Sequence, residues 1–275
     1  MADEMIDRVR GSEPSSVEQL EALLALLREH SPAAVAFSGG VDSALLAYLA
    51  SRIEPRTLCV TASSETYTEE EMERAKRFAE RHGLRHMVIE TREMEDPLFI
   101  ANTRDRCYHC KRELFRMLRE AAAADGLSAV LYGANRDDLC DHRPGHRAAE
   151  EAGAFAPFIA AGMGKEEIRR ISRALGLETW DLPQSACLAS RIPYGQELTR
   201  EILSAVADAE RLLRDAGHRQ VRVRAHGSLA RIEIADGEAI DLSVLRAIAK
   251  EMKPLGFTYV TLDLEGYRSG SMNEG

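Results

Sequence analysis

Short apolar runs alternating with amphipathic stretches constrain this chain most. Ala33 to Phe37, Thr57 to Thr61, His86 to Glu90 and Ala129 to Tyr132 read as buried strands, and Glu178 to Leu182 reads as a fifth. Between them, helical spacing runs over Val17–Glu29, Asp42–Ile53, Glu69 to about His82, Tyr108–Ala124 and Lys165–Leu175. Thr68 followed by Glu69, Glu70 and Glu71 places a cap and three acids where the helix dipole favours them. This alternation predicts an α/β fold around a parallel sheet, with ligands beyond the carboxyl ends of the strands. After about Pro183 the pattern changes. A helix over Thr199–Ala216, a strand pair around Gly227, a helix over Leu242–Met252 and a strand over Thr258–Leu264 make a smaller α+β unit. The expected division is 1–185 and 186–275.

Composition narrows the class. With 36 Lys plus Arg against 45 Asp plus Glu, the net charge is −9, which disfavours general nucleic-acid or anionic-membrane binding. Residues 187–275 hold 12 basic and 13 acidic side chains, so the first unit carries most of the excess. Five cysteines, at 59, 107, 110, 140 and 187, do not make a secreted disulfide framework. The start shows no apolar signal region and no run is long enough to span a bilayer. A cytoplasmic enzyme with reduced thiols is expected.

Phe37-Ser38-Gly39-Gly40-Val41-Asp42-Ser43 lies between the first strand and its helix. Two glycines let the backbone approach a ligand, two serines add hydroxyls, and the helix offers unpaired N–H groups to an anion. No Gly-Lys-Ser/Thr closes it, so it is not a Walker A loop. The string resembles the pyrophosphate loop of the ATP pyrophosphatases (PP-loop, adenine nucleotide alpha hydrolase-like). The resemblance implies that Ser38, Gly39, Gly40 and Ser43, with Gly133 after the fourth strand, bind ATP and that Asp42 lies near Mg2+. Asp137, Asp138 and Asp141 follow the fourth strand and are further candidates for ATP or magnesium; His142 and Arg143 are their possible partners.

Cys107-Tyr-His-Cys110 opens a helix, and Cys187 lies in Ser185-Ala-Cys-Leu-Ala-Ser-Arg-Ile-Pro-Tyr-Gly195 at the joint of the two units. By spacing alone the pair suits a redox dithiol, half a zinc site or part of an iron–sulfur site. His109 reads as a helix-surface residue, Cys59 as core, and Cys140 as a bystander.

Tyr132-Gly-Ala-Asn-Arg-Asp-Asp138, Asp141-His-Arg-Pro-Gly145, the Cys187 segment, Val221-Arg-Val-Arg-Ala-His-Gly227, Ala230-Arg-Ile-Glu233 and the run from Leu264 to Glu274 together resemble the LarE sulfur transferases. The resemblance covers nearly the whole chain. It implies ATP-dependent adenylation of the carboxylates of pyridinium-3,5-biscarboxylic acid mononucleotide, then sulfur transfer to give thiocarboxylates for the nickel-pincer cofactor of lactate racemase. The family has two sulfur routes: a single sacrificed cysteine at the position of Cys187, or three cysteines holding a [4Fe–4S] cluster. Cys107 and Cys110 beside Cys187 point to the cluster. The resemblance also implies a sulfide or other sulfur donor, and a homo-oligomer built from dimers, up to a hexamer.

His218 to Arg231 holds four arginines and no acid. Arg222 and Arg224 alternate with valines and should share one strand face. With the resemblance, they are assigned to the substrate's phosphate, with Ser190, Arg191 and Arg268 as further candidates. Glu210, Glu233 and Asp241 match positions near a substrate- or divalent-metal-binding region, or else pair with nearby arginines. A tRNA thiolase is the rival, because such enzymes combine the same loop with three cysteines; the acidic balance and 5% aromatics favour a mononucleotide over tRNA.

Overall fold

The computed structural model describes residues 2–140, 144–183, 185–268 and 272. In chain order its elements are α1 (Ala2–Ser12), α2 (Val17–Glu29), β1 (Ala33–Ala36), α3 (Val41–Ile53), β2 (Leu58–Ser63), α4 (Glu69–Arg81), β3 (Arg85–Glu90), α5 (Pro97–Ile100), α6 (Arg106–Ala124) and β4 (Ala129–Leu131). These are followed by α7 (Pro144–Glu151), α8 (Pro157–Ala160), α9 (Lys165–Ala174), α10 (Arg200–Asp215), β5 (Val221–His226), β6 (Leu229–Ile234), α11 (Leu242–Met252) and β7 (Tyr259–Leu262). The chain forms two compact units. The first contains Met1–Ser64, Glu69–Arg92 and Cys107–Ser185; the second contains Glu65–Thr68, Glu93–Arg106 and Ala186–Gly275.

In the first unit four parallel strands lie in the order β3-β2-β1-β4. β1 and β2 are almost wholly buried, as expected of central parallel strands covered on both faces. The apolar stripe of α2, made by Leu20, Leu23, Leu24 and Leu27, meets Leu45, Leu46 and Leu49 of α3 in the core. The terminal helix α1 joins this core through Met5 and Val9, one turn apart on one face, and Arg8 donates to the Leu175 carbonyl at 2.8 Å.

The expected fifth strand over Glu178–Leu182 does not form; the segment is a series of turns. The Arg169 guanidinium takes the Trp180 and Leu182 carbonyls, each at 2.6 Å, so these acceptors serve a side chain rather than a ladder.

In the second unit β5 and β6 form the expected hairpin around Gly227, and β7 adds to β6 in parallel. α10 lays Leu203, Val206, Ala209 and Leu213 on the unit's core. Thr199 caps α10 by accepting from the Ile202 N–H, and Asp241 caps α11 by accepting from Ser243 and Val244. No helix among the described residues is long and apolar enough to cross a membrane.

Candidate functional site

The first unit carries the candidate anion loop. β1 ends at Ala36 and α3 begins at Val41, leaving Phe37 to Gly40 to turn the chain. Gly39 has φ +71°, and a Cβ there would stand 2.9 Å from the Ala75 Cα of α4. Glycine is therefore required twice, for conformation and for space. Gly133 is needed for a different approach: a Cβ would stand 3.2 Å from the Ser43 N at the start of α3. The loop is internally braced. Ser43 Oγ accepts from the Ser38 N–H at 3.2 Å, lies 3.1 Å from Ser38 Oγ and donates to the Gly40 carbonyl at 3.2 Å. Arg74 Nε donates to the Gly39 carbonyl at 3.3 Å from α4. The structure thus brings Ser38, Gly39, Gly40, Asp42, Ser43 and Gly133 to one end of the parallel sheet.

Sequence reasoning missed Lys165. It stands at the start of α9, and its Nζ pairs with Asp42 Oδ2. The two residues are 123 positions apart, so only the fold reveals the pair. Burial pushes the Asp42 carboxyl above the usual aspartate range; Lys165 draws it back and Asp138 adds to the rise. Asp42 Oδ1 is buried and accepts no hydrogen bond. An unused carboxylate oxygen suits a hard divalent cation, so the donor chemistry fits Mg2+. Asp138 itself accepts from the Asn135 N–H at 3.0 Å, and Asp137 accepts from the Lys165 N–H at 2.8 Å. Asp141, His142 and Arg143 lie outside the described residues.

Cys107 and Cys110 stand in the first turns of α6, three residues apart and so on neighbouring positions of one helical face. Both are half-buried thiols, as is Cys187; Cys59 is a fully buried thiol. Burial pushes Cys59 up to about 11, which makes it a poor nucleophile and agrees with a core role. Three half-buried thiols are the donor set of a cluster with one open iron. Cys107 and Cys110 belong to the first unit and Cys187 to the second, and no group of three metal-ligating side chains stands ready among the described residues.

The second unit builds a buried cationic region around the turn that follows Cys187. Arg191 is 3% exposed, and its Nε and Nη2 grip Glu210 at 2.8 and 3.1 Å. Its Nη1 donates to the carbonyls of Ala186 and Cys187 and to Ser190 Oγ, while Ser190 Oγ donates to the Cys187 carbonyl at 2.8 Å. Arg191 and Ser190 thereby hold the backbone of the cysteine turn. Arg224 pairs with Glu233 at 2.7 Å and donates to the Ser190 carbonyl at 3.2 Å. Arg231 meets the other oxygen of Glu233 at 3.1 Å. Arg222 lies opposite Glu233 in the hairpin register, over the Tyr267 ring. Its burial, with Arg191 alongside, lowers its pKa from the ordinary arginine value.

Both acids assigned to a substrate or metal region, Glu210 and Glu233, are thus buried partners of arginines. Asp241 is an exposed helix cap, and Arg268 pairs with Glu265 at 2.7 Å. Much of the motif from Leu264 to Glu274 lies outside the described residues. Arg191, Arg222 and Arg224 are all buried in this one region, with Glu210 and Glu233 between them.

Residues 19–226 match the asparagine synthase family. The chain is 43% identical over 260 residues to an uncharacterised protein of Synechocystis, covering 93% of this chain and 97% of that one. It is 38% identical over 255 residues to the pyridinium-3,5-bisthiocarboxylic acid mononucleotide synthase of Lactiplantibacillus plantarum, covering 92% of each. The chain belongs to the pyridinium-3,5-bisthiocarboxylic acid mononucleotide synthase family. It is an ATP-dependent sulfurtransferase, with the PP-loop domain of that family. An uncharacterised protein of Methanocaldococcus jannaschii is 34% identical over 235 residues, covering 86% of this chain and 90% of that one.

Proposed function

We propose that the enzyme converts the carboxylates of pyridinium-3,5-biscarboxylic acid mononucleotide to thiocarboxylates, releasing AMP and pyrophosphate. The observation that carries this reading is the gathering of three buried arginines, Arg191, Arg222 and Arg224, around the turn that follows Cys187. A small phosphorylated substrate and a sulfur-bearing cysteine suit that one turn.

The chemistry follows from the groups present. A carboxylate resists attack, so one of its oxygens first bonds to the α-phosphorus of ATP and pyrophosphate leaves. Ser38, Ser43 and the N–H groups at the start of α3 hold the phosphates as negative charge builds on the leaving group. Lys165 neutralises further charge there, and Asp42 would hold Mg2+, which supplies charge neutralisation when bound. Sulfur then bonds to the acyl carbon and AMP leaves. The attacking sulfur must be a thiolate or sulfide, because a neutral thiol is a weak nucleophile. Arg222 and Arg224 hold the substrate's phosphate, and Arg191 with Ser190 fixes the turn from which Cys187 projects.

Cys107, Cys110 and Cys187 would hold a [4Fe–4S] cluster, which supplies an iron site for an exchangeable sulfide when bound. The alternative within the family is sacrifice of the Cys187 sulfur alone. The first unit serves nucleotide activation and supplies Cys107 and Cys110; the second, which also takes in residues 65–68 and 93–106 and so departs from a single division at 185, serves the substrate and supplies Cys187, in a cytoplasmic oligomer built from dimers.

The test is anaerobic turnover with ATP, Mg2+, sulfide and the mononucleotide. Mass spectrometry should find thiocarboxylate with one AMP for each carboxylate converted, and metal analysis about four irons per chain. Cys110→Ser should abolish iron loading and turnover. Iron-free wild-type protein that loses one sulfur from Cys187 per turnover selects the sacrificial route. Salt-sensitive tRNA binding with thiolation of tRNA would overturn the reading.

A further inference from the structure

We propose that Asn102 is a positioning residue of the sulfur-transfer step, tying the turn after Cys187 to the residue before Cys107 through one carboxamide. Asn102 is wholly buried in the second unit and has φ +51°, a conformation that asparagine tolerates better than most residues. Every polar group it owns is used. Its Nδ2 donates to the carbonyls of Pro193 at 2.8 Å and Gln196 at 2.9 Å, and its own carbonyl accepts from the Gly195 N–H at 3.0 Å. Its Oδ1 accepts from Arg106 Nη1 at 2.5 Å.

Arg106 is the second half of the device. It opens α6, is 5% exposed, and lies 4.8 Å from the centre of the Tyr194 ring. No ion pair holds it among the described residues, so the Asn102 oxygen and the Tyr194 face fix its direction. The next residue is Cys107. The loop of Pro193 to Gln196 continues from the Leu188–Arg191 turn that Cys187 caps. One side chain therefore fixes two chain segments, and each reaches a proposed sulfur-bearing cysteine within a few residues. The bonds of this knot all lie within the second unit, so it bears on sulfur delivery and not on adenylation.

The inference rests on the cysteine roles proposed above. When sulfur arrives late, water attacks the acyl carbon instead, AMP leaves and the carboxylate is restored. The readout is AMP released per thiocarboxylate formed, a ratio that does not depend on how much protein is folded. In Asn102→Gly, which keeps the positive φ and loses the amide, that ratio should rise about tenfold or more, the usual scale for groups that orient a reactive shell. Arg106→Met, which leaves the Asn102 amide donors in place, should raise it too, and Arg106→Lys should recover part of the coupling. If turnover falls in these variants with the ratio unchanged, Asn102 is structural only and the proposal fails. Iron-free wild-type protein that still makes thiocarboxylate overturns the cluster and leaves the ratio test standing through Cys187. Wild-type protein that makes no thiocarboxylate overturns both.

Discussion

Gly39→Ala separates backbone strain from steric contact at the anion loop. An alanine at φ +71° carries the left-handed cost of roughly 1–2 kcal/mol. Its Cβ must also displace the α4 backbone, because the nearest atoms are the Cα and N of Ala75 at 2.9 and 3.0 Å. Overpacking of this kind costs about 1–3 kcal/mol more. Gly83→Ala is the matched control, since Gly83 has φ +61° and nothing within 4 Å of an added Cβ. Urea unfolding followed by circular dichroism should give a loss of roughly 1–2 kcal/mol for the control and about 2–5 kcal/mol for Gly39→Ala. ATP–pyrophosphate exchange should fall in Gly39→Ala alone, since relief of the contact moves the loop. Adding Ala75→Gly should not rescue it, because the obstruction is main chain. Equal stability losses in both variants, with exchange intact, would refute the argument that the loop is pressed against α4.

Lys165→Met should raise the KM for ATP by roughly tenfold to a hundredfold, the worth of a charge-assisted contact, and leave the KM for the mononucleotide unchanged. Steady-state kinetics with each substrate varied checks this. Glu210 makes stability depend on pH. Burial alone would push its carboxyl up, but Arg191 overrides this and holds it below the ordinary glutamate value of about 4.3. Its contribution is therefore complete above that value and is lost as pH falls through the lower folded value. Urea midpoints from pH 7 to 3 should decline in the wild type. Glu210→Gln should be about 3–5 kcal/mol less stable at pH 7, because Arg191 stays buried, and should show a flatter acid limb.

The parallel-sheet architecture was legible because each central strand is a short, nearly continuous apolar run followed by an amphipathic stretch. Glu178–Leu182 looked the same, but it lies within reach of Arg169, and no local pattern reveals a guanidinium that will take the carbonyls. α1 was invisible because only Met5 and Val9 of its polar sequence enter the core. In the second unit, period-two alternation placed Arg222 and Arg224 on one strand face, but not their burial. That depends on Glu210 from α10 and Glu233 across the hairpin. Pairing the strands around Gly227 would have set Arg222 opposite Glu233, so part of the network was available from register alone. Lys165 left no such trace, since Asp42 is 123 positions away, and Asn102 little, since of its side-chain partners only Arg106 is near in sequence.

The interleaving of the two units limits where the chain can be cut or joined. The chain passes between them five times, and the pieces at 65–68 and 93–106 are held within the second unit by side chains and main chain alike. Glu65 pairs with Arg200 at 2.7 Å, Thr66 accepts from the Leu188 N–H and donates to Glu93, and Ile100 accepts from Leu198. A cut or fusion after Ser185 would strip these pieces from the remainder and leave Phe99 without its buried surroundings. The second unit is therefore not a cassette that a single junction can append or delete. The connections after β2 and β3 belong to it as much as the stretch after Ser185 does, so a change to any one of the three is felt in the others.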